Sequence, residues 1–353
     1  MKNLKQIMNR DPYSFKKVKK ENLLKEHLQI LNNHHYNKCK KYKKLVDNFA
    51  LEKISYFNTQ KFPMIPVKIF KLFDLMSIKK NQIVKKIVSS GTSGQEPSKI
   101  FLDKQNSNNQ MKALTKITEV LLGKKRLPML IIDKKSTITN KSIFNARAAA
   151  IFGFSLFGKN YCYLINENNE IDYKSLGNFL EKFGKEKFII FGFTSLIYEY
   201  LIKKIRYKNL DFKNALLLHG GGWKKLENQK ITNKLFKAEL NFKLNLKNIH
   251  NYYGMVEQAG SIFTECEKGY FHTTIFSDIF IRDKNFIIQK FNKKGLIQLI
   301  SLIPTSYPGH NILTEDIGEI IGEDSCKCGV NGKYFLVHGR AKESEIRGCS
   351  DVR

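Results

Sequence analysis

Between residues 127 and 218 the chain alternates short apolar runs with helix-like segments, and this alternation narrows the possible folds more than any single motif. Residues 127–132, 161–165, 188–193 and 215–218 are apolar and short enough for buried strands. Between them, residues 141–158, 173–183 and 194–204 carry helical spacing, with Thr194 or Ser195 suited to cap the last. Strands that pair in parallel need helical crossovers, so the pattern predicts α/β layers with largely parallel sheets. Upstream, residues 20–58 read as helical, because Leu24, Leu28, Leu31, Tyr42, Leu45 and Phe49 recur at three- and four-residue steps without a proline. Pro63 and Pro66 make residues 62–67 an extended connector, and a further helix covers 107–122. From residue 269 the runs shorten (269–275, 278–281, 286–291, 295–302, 317–321), which predicts a distorted antiparallel sheet or small barrel.

A chain of 353 residues with 42% hydrophobic content can bury a sizeable core. Its formal charge of +29 comes mostly from lysine, in company with many Asn and Ile residues. That mixture reads as a solvated surface and gives no specific nucleic-acid partner. Six cysteines are too sparse for a disulfide framework, so reduced thiols are expected. The first twenty residues contain no signal-peptide core, and the longest uncharged runs, 148–158 and 188–198, are about half of the ~20 residues that span a bilayer. The expectation is a cytoplasmic protein without a transmembrane segment.

Four turns carry groups suited to chemistry. Ser89-Ser90-Gly91-Thr92-Ser93-Gly94-Gln95-Glu96-Pro97-Ser98-Lys99 lies between two apolar runs. Its glycines let successive N–H groups face one side, and its hydroxyls and lysine add donors, so it is either a polyphosphate cradle or an ordinary flexible loop. Gly220-Gly221-Gly222 ends an apolar strand, where bare backbone either admits a flat ligand or only makes a tight turn. In Tyr253-Gly254-Met255-Val256-Glu257 the aromatic ring offers a face for a purine and Glu257 can reach a Mg²⁺ ion on the phosphates, or the turn is only the edge of the core. Asp316, in Thr314-Glu315-Asp316, can accept hydrogen bonds from both hydroxyls of a ribose, or the stretch is only an acidic turn before a strand. Cys326-Lys327-Cys328 reads as a reduced turn, or, with Cys266 and His338, as a zinc site. His34, His35 and Cys39 share a helical face but lack a fourth ligand.

Ser90-Gly91-Thr92-Ser93-Gly94, Tyr253-Gly254-Met255-Val256-Glu257, Thr314-Glu315-Asp316 and Gly339-Arg340, in this order and at these spacings, resemble the successive motifs of adenylate-forming enzymes. Within that superfamily the chain is most similar to the acyl-protein synthetase (LuxE) family, with the phenylacetate-CoA-ligase-like group next. The likeness implies the N-terminal core of an adenylate-forming enzyme, with layered α/β subdomains and a small distorted β-barrel, lacking the full C-terminal domain. Residues 1–60 are then a helical extension, 61–338 the adenylation core (α/β to about 268, β-rich over 269–338), and 339–353 a short tail.

The resemblance further implies ATP and Mg²⁺ as cofactors and a fatty acid, long-chain in such relatives, as substrate. Ser90, Thr92, Ser93 and Lys99 would hold the phosphates, with Gly91 and Gly94 shaping the loop. Glu257 would bind Mg²⁺, and Tyr253, Gly254 and Gly220 to Gly222 would flank adenine. Asp316 would take the ribose, Arg340 the ribose or phosphate, and Cys349 the acyl group for an acyl-CoA-reductase-like partner. An acid-thiol ligase using coenzyme A and a non-catalytic nucleotide-binding or scaffolding subunit are the alternatives. The chain departs from the superfamily pattern in Val256, where a hydroxyl residue is usual, and in Ser98, which separates Pro97 from Lys99.

Overall fold

The apolar runs become the strands of a parallel sheet. The computed structural model describes residues 2–48, 63–89, 96–139, 146–206, 210–223 and 231–341, and these divide into two units, one reaching Thr118 and resuming at Gly254, the other Glu119–Tyr253. In the second unit the strands lie in the order Gly158–Ile165, Leu127–Lys134, Phe188–Phe193, Ala215–Gly220 and Asn248–Tyr253, and every pairing is parallel. Leu130, Ile132, Leu164, Phe188, Ile190 and Leu217 form its buried core, as expected of strands covered on both faces. Helix Tyr173–Phe183 starts where the Asp172 side chain accepts from the Ser175 N–H. Helix Asn233–Leu244 starts at Thr232, which accepts from the Leu235 N–H, and ends at Asn245 in the left-handed region.

The helical run after Phe193 departs from expectation in two ways. Its first turn, Thr194–Ile197, is α-helical, whereas Tyr198–Lys204 is a π-helix. Neither Thr194 nor Ser195 caps it: Phe193 holds that position without a side-chain bond. The Thr194 hydroxyl instead meets His219 Nδ1 at 2.9 Å and donates to the Gly220 carbonyl at 3.2 Å on the adjoining strand. A tertiary hydrogen bond has outcompeted the local cap.

In the first unit an antiparallel sheet runs in the order Phe271–His272, Lys333–Arg340, Asn311–Glu323, Lys294–Ser301 and Ser277–Arg282. The connector strand Ile65–Pro66 pairs in parallel with Ile312 and Leu313. Register shifts between Leu296 and Gln298, Ile317 and Gly318, and Ile320 and Gly322 bend this sheet. Residues 286–291 do not form the expected strand. Asp283 Oδ1 accepts from the Asn285 and Ile287 N–H groups, both at 2.9 Å, and folds the segment into a turn with Phe286 at φ 61°.

Helix Lys17–Lys38 and helix Lys40–Asn48 replace the single predicted helical run. The first of these buries polar groups against the sheet. Lys20 Nζ lies 3.3 Å from Asp278 Oδ1 and donates to Thr273 Oγ1 at 2.6 Å, while Lys333 Nζ lies 2.7 Å from Asp278 Oδ2. Burial pushes the Asp278 carboxyl up, but Lys20 and Lys333 outweigh it and leave the group below its ordinary value. His34, His35 and Cys39 make no metal cluster. His34 Nε2 meets the Thr305 carbonyl at 2.9 Å, and His35 meets Ser77 Oγ at 2.7 Å and the Pro304 carbonyl at 3.2 Å.

Candidate active site

Strands Lys85–Val88 and Lys99–Leu102 form an antiparallel pair with Val88 opposite Lys99, so the stretch between them joins two paired strands. Ser90, Gly91, Thr92, Ser93 and Gly94 lie outside the described residues. At the closing end, the Ser89 N–H donates to the Ser98 carbonyl, and Ser89 Oγ accepts from the Ser98 N–H at 2.8 Å. Ser98 is buried, whereas the next side chain points elsewhere: Lys99 Nζ pairs with Glu96 Oε2 at 2.8 Å. That pairing raises the Lys99 ammonium above its ordinary value.

Glu257 sits in the short helical turn Val256–Gln258 and is buried. Gln258 fixes this turn by donating from Nε2 to the carbonyls of Leu299 at 3.1 Å and Gly309 at 2.8 Å. Gly309 is required there, because a Cβ would fall 2.3 Å from the Tyr307 ring and 2.6 Å from the Glu257 carbonyl. Residues 302–310 are themselves tied down by Asn106, whose Oδ1 accepts from the Thr305 N–H at 2.7 Å and the Ser306 N–H at 2.9 Å.

Burial raises the Glu257 carboxyl, and Asp316 acts in the same direction; the Ser98 side chain and Arg340 oppose them. Tyr307 is raised by burial and by Glu257, with Gln110 acting downward. Ser98, Gln110, Glu257, Tyr307, Asp316 and Arg340 thus share one electrostatic neighbourhood. Asp316 and Arg340 face each other on paired strands, with Arg340 Nε 3.9 Å from Asp316 Oδ1 and Nη1 3.8 Å from Glu315 Oε2. The Asp316 N–H donates to Thr314 Oγ1, which donates in turn to the Ile297 carbonyl. This arrangement offers one guanidinium beside three carboxylates, a set able to orient hydroxyls and to hold a cation. A buried carboxylate raised by desolvation gains most from a nearby divalent ion, so Glu257 fits the Mg²⁺ ligand expected of it.

The second unit holds the glycine run and Tyr253, and its three glycines do different work. A Cβ on Gly220 would lie 2.5 Å from the Tyr252 ring, so this glycine admits an aromatic side chain of the neighbouring strand. Gly221 turns the chain at φ 79°, and a Cβ on Gly222 would have no atom of the described residues within 4 Å. Trp223 packs in the core, 4.9 Å from the Tyr198 ring and 6.0 Å from Phe236. His219 is buried behind the run, and burial lowers its imidazole to about 3. Tyr253 ends strand Asn248–Tyr253, and Gly254 begins the other unit's second segment. Gly254 is tight as well, since a Cβ would meet Ile262 Cγ2 at 3.1 Å. Phe154, Phe157, Phe191 and Phe193 are buried, while Phe152 is exposed.

Gln110 and Tyr307 are additions to the expected residues. A glutamine inside a helix and a tyrosine before Pro308-Gly309 give no local sign of chemistry; only their shared burial next to Glu257 marks them. Cys349 lies outside the described residues. No described helix is long and apolar enough to cross a membrane.

A family model described as "Acyl-protein synthetase, LuxE" matches residues 3–353. Among solved structures, an open conformation of 2-hydroxyisobutyryl-CoA ligase in complex with 2-HIB-AMP and CoA is similar, with a TM-score of 0.72 at 11% identity over 94% of this chain and 77% of its own. The same ligase in its postadenylation state in complex with 2-HIB-AMP gives 0.69 at 11% identity over 93% of this chain and 69% of its own. In its thioesterification state, with 2-HIB-AMP and CoA, the figures are 0.65, 11%, 94% and 70%. At that identity the likeness is one of fold, and the fold is the adenylate-forming core that the motif order implied. None of the curated proteins matches the chain.

Proposed function

The chain belongs to the acyl-protein synthetase (LuxE) family and is thereby an ATP-dependent, acyl-activating ligase; from that premise we propose that it activates a long-chain fatty acid and passes the acyl group to a protein thiol, its own Cys349. In the first step a carboxylate oxygen of the fatty acid attacks the α-phosphorus of ATP. The bond to the β-phosphate oxygen breaks, and acyl-adenylate and pyrophosphate form. In the second, the Cys349 thiolate attacks the acyl carbon, AMP leaves, and the thioester is handed to an acyl-CoA-reductase-like partner. Bringing the thiol to the adenylate makes the second step effectively intramolecular.

The observation that carries this reading is the neighbourhood of Glu257, where a buried carboxylate, Asp316 and Arg340 act on one another. Fixed charges in a desolvated setting stabilise charge that shifts during reaction without reorganising. Glu257 would hold Mg²⁺, which when bound offsets the charge of the polyphosphate. Asp316 would accept from the ribose hydroxyls, and Arg340, already facing it, would reach the ribose or the α-phosphate. Gly220 to Gly222 and Tyr253 are assigned to adenine, with Gly222 presenting the bare backbone. Residues 90–94 are assigned to the β- and γ-phosphates. Lys99, held by Glu96, is given a phosphate-steering role and not that of principal catalytic cation.

Incubating the full chain with ATP, Mg²⁺ and radiolabelled fatty acid tests the proposal. The expected result is hydroxylamine-labile label on the protein without coenzyme A, lost in Cys349→Ser while pyrophosphate exchange persists. Acyl-CoA as sole product would replace the protein-thiol reading with that of a coenzyme A ligase, and absence of carboxylate-dependent exchange would refute adenylation.

A further inference from the structure

Away from the Glu257 neighbourhood, the tips of two hairpins in the first unit bring together Cys266, His272, Cys326 and Cys328. The four ligand atoms all lie within 4.8 Å of one another. We propose that these four side chains form a structural zinc site that clamps the two hairpins.

The local backbone builds the cluster from both sides. In the first hairpin Glu265 bridges Phe271, the Cys266 N–H donates to the Tyr270 carbonyl, and the Gly269 N–H donates to the Cys266 carbonyl, with Gly269 at φ 83°. His272 follows directly and, in strand Phe271–His272, pairs with Tyr334. The second hairpin joins strands Asn311–Glu323 and Lys333–Arg340. At its tip the Gly329 N–H donates to the Cys326 carbonyl with Gly329 at φ 80°, and the Gly332 N–H donates to Asp324 Oδ1 at 2.7 Å. Each glycine occupies a backbone region that L side chains avoid, so both turns are shaped to aim their cysteines inward.

Distances and donor chemistry agree on the ion. A tetrahedron with Zn–S bonds of about 2.3 Å has ligand–ligand edges of about 3.8 Å. Here Cys328 Sγ is 3.3 Å from Cys326 Sγ and 3.4 Å from His272 Nε2. A disulfide would need about 2.05 Å, so the two thiols are neighbours and not bonded. Three sulfurs and one imidazole suit Zn²⁺ among the common cations, since hard ions prefer oxygen. His272 is buried and stacks on Tyr334 at 5.8 Å, which fixes the ring beside the cysteine turn. Four protein ligands complete a tetrahedral shell and leave no open position, which marks a structural rather than a catalytic site.

His338, the histidine that the sequence offered as the fourth ligand, is elsewhere: its Nε2 meets Glu319 Oε2 at 3.1 Å. Strand pairing explains the exchange, because His272 is set opposite Tyr334 at the same end of the sheet as the cysteine turn. What the clamp would hold is visible beside it. Asn331 Nδ2 donates to the Tyr13 carbonyl at 3.0 Å, and Tyr13 meets Thr264 Oγ1 at 2.9 Å, so the two hairpins also anchor the N-terminal segment.

The test uses the full chain, purified without chelator and also reconstituted with Zn²⁺ under reducing conditions. Elemental analysis is expected to find about one zinc per chain, and X-ray absorption at the zinc edge a shell of three sulfurs and one nitrogen. Cys328→Ser and His272→Ala should each bring zinc below about a tenth per chain, while His338→Asn should retain it. Should the ligand variants fail to fold, the absorption spectrum of the unaltered chain still decides. Chelation should lower the melting temperature of the unaltered protein. A chain that takes up no zinc after reconstitution, an oxygen-rich shell, or full zinc retention in soluble Cys328→Ser would overturn the proposal.

Discussion

Lowering the pH from 7.5 to 5.5 should loosen the N-terminal helices of this protein through two stacked imidazoles. His35, on helix Lys17–Lys38, lies face to face with His310 at 4.9 Å, and Tyr42 packs edge-on to His310 at 5.7 Å. Burial holds both rings neutral, lowering His310 to about 3 and His35 well below its ordinary value, with neighbouring histidines acting the same way. His35 is also tied down as one tautomer, since Nε2 faces the Pro304 carbonyl and so carries the proton, leaving Nδ1 to accept from Ser77. In the unfolded chain each imidazole titrates near about 6.5. The folded values lie below the unfolded one, so the stabilisation is complete above pH 6.5 and is lost progressively as pH falls toward 3. At pH 5.5 the unfolded state binds one more proton at each site, and His310 alone costs about 1.4 kcal/mol, a tenfold change in the opening constant. His35 adds to this in the same direction. Hydrogen exchange of peptides from helix Lys17–Lys38, corrected for the intrinsic pH dependence of exchange, reads that constant. His310→Phe keeps an aromatic ring in the stack and removes one titration. Its opening constant should rise about tenfold less over the same pH interval. Equal pH slopes in the variant and the unaltered chain would refute the argument, whatever their absolute stabilities.

Other outcomes follow from the same structure. Glu257→Gln should lower carboxylate-dependent pyrophosphate exchange by roughly 10²–10³, in the range for loss of a preorganised charge, with an unchanged circular dichroism spectrum; retention of near-normal exchange would remove Glu257 from the site. Asp278→Asn leaves Lys20 and Lys333 buried without their carboxylate and should cost about 3–5 kcal/mol in denaturant unfolding. A change under 1 kcal/mol would show those ammoniums reaching water. Gly220→Ala pushes a methyl into the Tyr252 ring and should destabilise by about 1–3 kcal/mol, whereas Gly222→Ala meets none of the described residues and should leave the melting temperature alone. A lower affinity for ATP in Gly222→Ala would then report on the ligand; unchanged affinity would withdraw that glycine from the adenine assignment.

Much of the architecture was legible because it rests on short-range pattern. Helix Tyr173–Phe183 matches the helical spacing of its residues and strand Phe188–Phe193 the short apolar run, and the parallel order of the second unit follows from strands separated by crossovers. The stretch between Val88 and Lys99 was legible as a strand-to-strand connection, and the order of motifs pointed to the adenylate-forming core. Misreadings arose where a distant partner outcompeted a local preference. Thr194 left the cap position for His219 and Gly220, and Asp283 folded a strand-like run into a turn.

The candidate site divides along the same line. Glu257, Asp316 and Arg340 are recognisable in sequence as members of an ordered set, and residue type alone gives their charge and donor chemistry. That Ser98 is buried beside Glu257 while Lys99 turns to Glu96, that Gln110 and Tyr307 join the neighbourhood, and that His272 rather than His338 meets the three cysteines were decided by tertiary structure. Periodicity and turn residues act over a few positions and are written along the chain. Burial, electrostatic coupling and ligand clusters depend on strand register between segments tens to hundreds of residues apart, and that register exists only once the sheets have formed.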